Sequence, residues 1–380
     1  MISQHNFLLV TLLVLGLVSG YASAQSISWT EESAPTGAPW SARADHAAFA
    51  FANKLWVMGG DNGTYGVNRT DCWNSTNGVA WTQVAASAPN PFARSGHAVV
   101  VFNNLLWVLG GHDGTSETDD VWSSADGISW TQLTTSTPMW TQRASHAALV
   151  FNNRMWVLGG WSSATSHVND VWSSSDGINW TQETANAPWE RRNYVSATVY
   201  GNEMWLMGGF GFSGASHNDI WTSTDGASWT QVSTTGSHWT PRYGAGLAIY
   251  DNKLWILGGI DNVVGWSNDA WSSPDGSTWT EHASAPVWSP RHVQHGAVNF
   301  GGKLFVIGGG GTSSPPALND VWTYAAPPIS GSNGGGNDNS SGCSTTESRA
   351  GVRDCAVAAM LALLMCLACR IRRREPSATE

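Results

Sequence analysis

The chain has 380 residues, of which 12% are charged, and a formal net charge of −10. That charged share is about half the usual one, and with so few cations to neutralise phosphates a nucleic-acid partner is excluded. The length alone would allow two or three domains, but a regular internal period overrides that count and points to one repeated architecture.

The first element is an apolar run from Phe7 to Val18 followed by the small residues Ala22-Ser23-Ala24. This reads as a signal peptide over 1–24, although only the amino terminus and His5 supply positive charge ahead of the run. Export is therefore expected. Of five cysteines, only Cys72 lies in the body of the chain, so the body must hold itself together by packing.

From residue 27 onward the sequence repeats. Double glycines stand at 59–60, 110–111, 159–160, 208–209, 258–259 and 308–309, in steps of 51, 49, 49, 50 and 50. Each unit carries an arginine, an apolar run, a tight turn, a second apolar run ending in Gly-Gly, a loop and an Asp-x-Trp segment. In the second unit the runs read SGHAVVVF, LLWVLGG, DDVWSSA and ISWTQL, all of strand length and bounded by turn residues. Pairs such as Asn103-Asn104, and later Asp126-Gly127, tolerate the positive φ of two-residue hairpin turns. Each unit is thus expected to be a four-stranded antiparallel meander. The second strand is apolar almost throughout, as in a sheet buried on both faces, and the first is rich in alanine, as six strands converging on an axis require.

The sixth unit stops early. It reads NDVWTYAAPPIS from Asn319, without the Asp-Gly turn or the fourth-strand tryptophan. Residues 27–30, ISWT, match the fourth strands of the other units, so the N-terminal strand is expected to complete the last blade and close the ring.

The Gly-Gly pair, the aromatic in an Asn-Asp-x-Trp context and a second tryptophan some eight residues later resemble the kelch repeat over roughly Ile27 to Tyr324. The resemblance implies an all-β, six-bladed β-propeller of four-stranded antiparallel blades occupying 25–325.

Tryptophan could signal a sugar-stacking surface, since there are 24. Most occupy repeated strand positions and are expected to be packing. A further set precedes each arginine as Trp-x-x-Arg: Trp40, Trp140, Trp189, Trp239 and Trp288, before Arg43, Arg143, Arg192, Arg242 and Arg291, with Phe92 as the substitute before Arg94. These lead-in loops and the loops after Gly-Gly emerge on the same face, and the latter vary in length and chemistry. A rigid frame with variable loops puts binding there. A ring of arginines and tryptophans could hold an anionic or sugar ligand by planar hydrogen bonds and stacking. Alternatively each arginine ties neighbouring blades together through backbone carbonyls and each tryptophan covers a blade junction. Tyr65, His112, Trp161, Phe210, Phe212 and Trp266 are the off-pattern loop residues expected to carry specificity.

Two enzyme classes occur on propellers similar to this one. A galactose oxidase-like copper site would use Tyr194, Tyr243, His292 and His295 near the channel mouth, but Cys72, in a third strand, cannot be mapped onto a crosslinked tyrosine. A sialic-acid epimerase-like reading would rest on Glu190 beside Arg191 and Arg192. His46, His97 and His146, three residues after their arginines, are spread around the ring and read as strand-end histidines. No cofactor and no metal are expected.

After the propeller comes a Gly/Ser-rich linker over 326–350. The run CAVAAMLALLMCLAC is followed by RIRRR; with its flanks it gives a transmembrane or sorting helix at 351–371, the tail 372–380 lying in the cytoplasm. The expectation is a monomeric propeller, exported and tethered with its body outside, that binds a protein or glycan and performs no chemistry.

Overall fold

The computed structural model describes residues 27–33, 37–64, 66–263, 265–282, 288–292, 296–311 and 317–327. The expected signal peptide, the linker beyond 327, the expected membrane helix at 351–371 and the tail lie outside these residues, as do Tyr65 and His295. Among the described residues no helix is long and apolar enough to cross a membrane.

Six antiparallel blades succeed one another along the chain, and Arg192–Asn193 pairs with Phe210–Gly211 as a separate two-stranded sheet in the fourth unit. The second is representative: Ala98–Phe102, Leu105–His112, Glu117–Ser124 and Thr131–Leu133 pair in chain order. The sixth contains Gly296–Phe300, Lys303–Gly311 and Ala317–Tyr324, and its fourth strand is Thr30–Glu31 from the other end of the chain. Thr30 pairs with Thr323 and Glu31 with Trp322.

The seam has more than two residue pairs. Glu32 donates its backbone N–H to the Val321 carbonyl at 2.8 Å, and its carboxylate accepts from Lys303 Nζ at 2.7 Å and from the Thr323 hydroxyl at 2.8 Å. Burial works to raise the Glu32 pKa, but Lys303 and Thr323 outweigh it and hold the carboxyl below its usual range. Ile27 and Trp29 are buried, with Trp29 edge-on to Trp288 at 6.0 Å. The ring is closed as the pattern in 27–30 required.

First strands line the axis and lie against one another from blade to blade. Their small residues form the wall of a central channel of about 200 Å³, including Ala47, Ala48, Ala98, Ala147, Ala148, Ala197, Gly246 and Ala297. At Gly296 there is no room for even a methyl group, because an added Cβ would overlap that of Ala48. Six hydrophobic clusters lie between adjacent blades, each drawing on second-strand side chains of both neighbours. A second strand buried on both sides is what its unbroken apolar run predicted.

Two local expectations need correction. The Asp-Gly segment is not a two-residue hairpin. Strands end at Ser124 and resume at Thr131, and the intervening turn is held by side chains. The Ser124 hydroxyl accepts from Gly127 N–H, and Asp126 Oδ1 accepts from Ile128 and Ser129 N–H, each at 2.8 Å. Asx and Ser side chains mimic backbone turns in this way. Gly127, at φ +74, also makes room for the previous blade: a Cβ there would come within 2.7 Å of the Trp56 ring. Nor does Gly-Gly end the second strand. In the second, third, fifth and sixth blades the ladder resumes beyond a bulge, as between Leu158 and Gly160. Gly159 and Gly160 sit at φ +61 and +112, where a side chain would be strained.

A chain beginning at Glu31 forfeits Ile27 and Trp29; burial of the tryptophan alone is worth at most about 4–6 kcal/mol at about 25 cal per Å². Thermal melts should place it about 10 °C below a chain beginning at Gln25; equal midpoints would refute closure by this segment.

Candidate functional site

The repeated arginines explain how the variable face is held. Arg143 donates to the Gly159 carbonyl at 2.9 Å through Nη1, to the Thr141 carbonyl at 3.0 Å through Nε, and to both Asp170 oxygens at 2.7 and 2.9 Å. Trp172 Nε1 donates to the same carboxylate at 2.8 Å. The same node joins Arg192 to Asp219, Arg242 to Asp269 and Arg291 to Asp320, with Arg43–Asp71 and Arg94–Asp120 as close variants. Each clamps the lead-in loop to the second and third strands of its own blade.

These residues are therefore unavailable to a ligand. Arg43, Arg94, Arg143, Arg192, Arg242 and Arg291 are at most 6% exposed, and Trp40, Trp140, Trp189, Trp239 and Trp288 are 1% exposed. Each tryptophan meets the fourth-strand tryptophan of its own blade edge-on, as Trp140 meets Trp180 at 5.9 Å; Phe92 does the same to Trp130. The expected ring of stacking and anion-binding groups is a set of internal braces. The arginines do not bridge neighbouring blades either; the tryptophans lie in the junction clusters.

Blades are joined at the mouth by backbone instead. Gly96 N–H donates to the Asp45 carbonyl at 2.9 Å, Ser145 to Gly96 at 2.7 Å, Tyr194 to Ser145 at 2.9 Å and Gly244 to Tyr194 at 3.1 Å. All occupy the second position after their arginine, at φ between +50 and +62. For Asp45, Ser145 and Tyr194 this is a costly backbone region, held by the surrounding ring.

Of the off-pattern residues, His112 is buried, its Nδ1 accepting from Gly114 N–H at 3.1 Å. Trp266 is half-buried opposite Ile260 in the fifth blade. Tyr65 lies outside the described residues. Trp161, Phe210 and Phe212 come together. Trp161 and Phe210 line a cavity of about 360 Å³ with Ala144, Ser145, His167, Asn193, Tyr194 and Tyr243, drawn from the third, fourth and fifth blades. Phe210 is 5.2 Å from Tyr243 and 6.0 Å from His167, and Tyr194 is 5.8 Å from Tyr243, at interplanar angles of 58°, 48° and 41°. The rings are walls of a box rather than a flat platform. Phe212, 56% exposed, lies edge-on to His167 at 6.3 Å, with the Arg191 guanidinium 4.8 Å above its ring. Asn193 is 9% exposed, and its side chain hydrogen-bonds with His167.

Pattern reading missed His167, Asn193 and Ser145 as lining residues. Asn193 and Ser145 occupy the two positions after an arginine, whose variation between units was the available signal. His167 faces Trp161 across the hairpin, which only the bulge-shifted register places.

Burial lowers the His167 pKa, and Asn193 and Glu190 offset this only in part, so the ring is neutral at pH 7. Burial raises Tyr243. Beside the pocket, burial and then Asp61 push the Asp45 carboxyl well up, although the Tyr194 hydroxyl donates to it. Asp61 is itself raised to about 6 by burial.

His295 lies outside the described residues, and the tyrosines of the copper constellation do not meet a cysteine. Cys72 is buried among Phe49, Trp56 and Met58 in the first blade, away from Tyr194 and Tyr243. Among the described residues no group of three or more His, Cys, Asp or Glu side chains could hold a metal. Glu190 pairs with His217 at 2.9 Å and accepts from Ser213 N–H at 2.7 Å. Burial opposes its ionisation, but Ser213 and His217 keep its pKa low.

The family model for the KLHDC2/KLHL20/DRC7 Kelch-repeats domain matches residues 21–160 and 125–309. The chain belongs to the kelch-repeat family. Curated relatives match over short stretches. Protein tag-53 of Caenorhabditis elegans is 35% identical over 80 residues, 20% of this chain and 6% of its own. The leucine-zipper-like transcriptional regulator 1 homolog of Drosophila melanogaster is 27% identical over 99 residues, 24% of this chain and 10% of its own. The chain thus spans a tenth or less of the length of these relatives.

Two tests follow from the braces and the channel. Arg143→Ala leaves the Asp170 carboxylate without its counter-charge and should lower stability by about 3–5 kcal/mol in denaturant melts; a loss below about 1 kcal/mol would show the node to be dispensable. His146 is buried, and burial followed by Arg143 lowers its pKa from 6.5 to about 3, against the opposing pull of Asp170. The unfolded chain takes up the proton near 6.5 and the folded one refuses it until about 3, so stability is lost as pH falls through that window. At pH 5 the loss is about 2 kcal/mol for this residue. Melting midpoints of His146→Gln should fall less between pH 7 and pH 5 than those of the parent, and parallel curves would contradict this.

Proposed function

We propose that this kelch propeller is an exported, non-enzymatic binding module, tethered to the outer face of a membrane by its C-terminal segment, that grips a protein through its variable face. The observation that carries the reading is the aromatic pocket. The polar side chains supplied in every blade are consumed by the arginine nodes, whereas Trp161, Phe210, Asn193 and Tyr243 converge on one cavity without a structural task common to the repeat. Specific pockets in interfaces of this kind hold the few side chains that dominate affinity. The apolar run at 7–18, and the run at 355–369 ahead of five residues reading RIRRR, support export and tethering.

A glycan is the second reading, favoured by a buried amide beside aromatic rings. Arrays of surface proteins and of glycans, probed in parallel with the 25–327 segment and its Trp161→Ala variant, separate the two. Protein hits lost in the variant are expected. Glycan hits with the same loss would replace a protein by a sugar, and hits indifferent to Trp161 would remove this face from the function. Protease added to intact cells should release the propeller as a fragment; a fully protected propeller would refute the outward orientation.

A further inference from the structure

Tyr194 joins opposite sides of the ring. It belongs to the fourth of six blades, and its hydroxyl donates to the carboxyl of Asp45, which enters the first, so the hydrogen bond spans the mouth of the central channel. The same side chain lines both the channel and the aromatic pocket, where it lies 5.8 Å from Tyr243. Both ends of this link are held in left-handed backbone, at φ +51 for Asp45 and +50 for Tyr194, and both belong to the inter-blade hydrogen bonds at the mouth. Such strain persists only while the surroundings enforce it.

The Asp45 end is an acid in a setting that disfavours its charge. Asp45 is 7% exposed and Asp61 3%, and Ala44 exchanges backbone hydrogen bonds with Asp61 at 3.0 and 2.8 Å, which places the two carboxyls side by side. Burial and then Asp61 push the Asp45 carboxyl well up, and burial raises Asp61 to about 6 against the pull of the Gly63 N–H and Arg69. No counter-charge is at hand. Arg69 acts on Asp61 and donates to the Ala42 carbonyl at 2.9 Å, while His46, His97 and His146 in the channel are buried and neutral at pH 7.

We infer that Tyr194 is a proton-controlled strap across the channel mouth: it is shut while Asp45 is protonated, and loss of that proton admits water and frees the tyrosine that walls the pocket. An ionised Asp45 must be hydrated, and in a closed mouth it is not. Asp61 ionises near pH 6 and then repels a charge on Asp45. The closed mouth keeps a proton that an open, hydrated one gives up at lower pH, so closure is favoured in acid and weakens as pH rises past about 6. Because Tyr194 is shared, anything that fixes its position in the pocket also favours the protonated mouth, and the reverse. That the strap regulates binding rests on the variable face being the binding face; the strap itself is tested without a partner.

Hydrogen exchange of the Gly96, Ser145, Tyr194 and Gly244 amides, followed in the full chain at pH 5 and pH 8 and corrected for the intrinsic pH dependence of exchange, reads the mouth directly. Protection in the parent should fall at least tenfold between the two. Asp45→Asn tolerates the left-handed backbone, stays neutral and still accepts from Tyr194, so its protection should hold at pH 8. Tyr194→Phe should be poorly protected already at pH 5, with the first strand Ala98–Phe102 protected as in the parent to show that the blades are intact. The inference is overturned if the parent keeps its protection at pH 8, if Asp45→Asn loses it as the parent does, or if Tyr194→Phe is as protected as the parent at pH 5. A proton-dependent mouth in a chain that captures no protein would retire the binding reading alone.

Discussion

The fold depends on keeping six guanidinium groups paired inside the protein. Arg143 and its equivalents lie where water does not reach, and an unpaired charge there would cost several kcal/mol. Each is satisfied by a carboxylate, by the carbonyl of the first glycine of the Gly-Gly pair and by a carbonyl two residues earlier in its own loop, or three earlier for Arg94. The requirement fixes several sequence features at once. The glycine must turn its carbonyl inward, which the left-handed backbone at 159 achieves. The aspartate must precede the third-strand tryptophan by two residues so that one carboxylate serves both. The lead-in loop is thereby pinned, and with it the two positions after the arginine that face the mouth.

Closure by the N-terminal strand leaves a mark on the blade it completes. In five blades the fourth-strand tryptophan donates its indole N–H to the carbonyl of the turn glycine, as Trp130 does to Gly127 at 3.1 Å. The sixth blade has no such turn, and Trp29 Nε1 is buried without a partner. The same missing turn changes the neighbouring junction. Trp107 and its equivalents pack beneath the turn glycine of the next blade, whereas Trp255 instead stacks on His282 at 4.6 Å and leans on Tyr324 at 5.5 Å. Tyr250 joins this patch, accepting from the Ala326 N–H at 2.6 Å. The seam is therefore chemically distinct from the other five junctions, held by tyrosines where they use a glycine turn.

Architecture was legible because it is periodic: blade number, strand order, the alanine-rich axis and the role of residues 27–30 all follow from spacing alone. The site was less so, and for a physical reason. Repetition shows that a residue has the same task in each blade but not whether that task faces solvent; Trp140 and Arg143 look alike as brace or as ligand site until burial is known. Trp161 and Phe210 stood out because they break the pattern. His167 could not be placed with them, since the glycine bulge shifts the register between Leu158 and Gly160 and so decides which residue faces Trp161. Asn193 was hidden beside Arg192, whose recurrence drew the eye to the wrong neighbour.

The pocket follows from what the frame leaves free. Behind each arginine the first two residues are Ala44-Asp45, Ser95-Gly96, Ala144-Ser145, Asn193-Tyr194 and Tyr243-Gly244 in the first five units. The backbone of the second residue of each pair is committed to the hydrogen bonds at the mouth, while the side chains differ from unit to unit. Small residues there in the third unit, followed by Asn193, Tyr194 and Tyr243 in the next two, create a recess bounded by large rings on one side. Tyr194 bears the strain of a left-handed backbone that glycine holds at Gly96 and Gly244. The bulky side chain kept at that position lines both the channel and the pocket, and its hydroxyl donates to the buried Asp45 carboxyl, so one residue ties the pocket wall to the mouth.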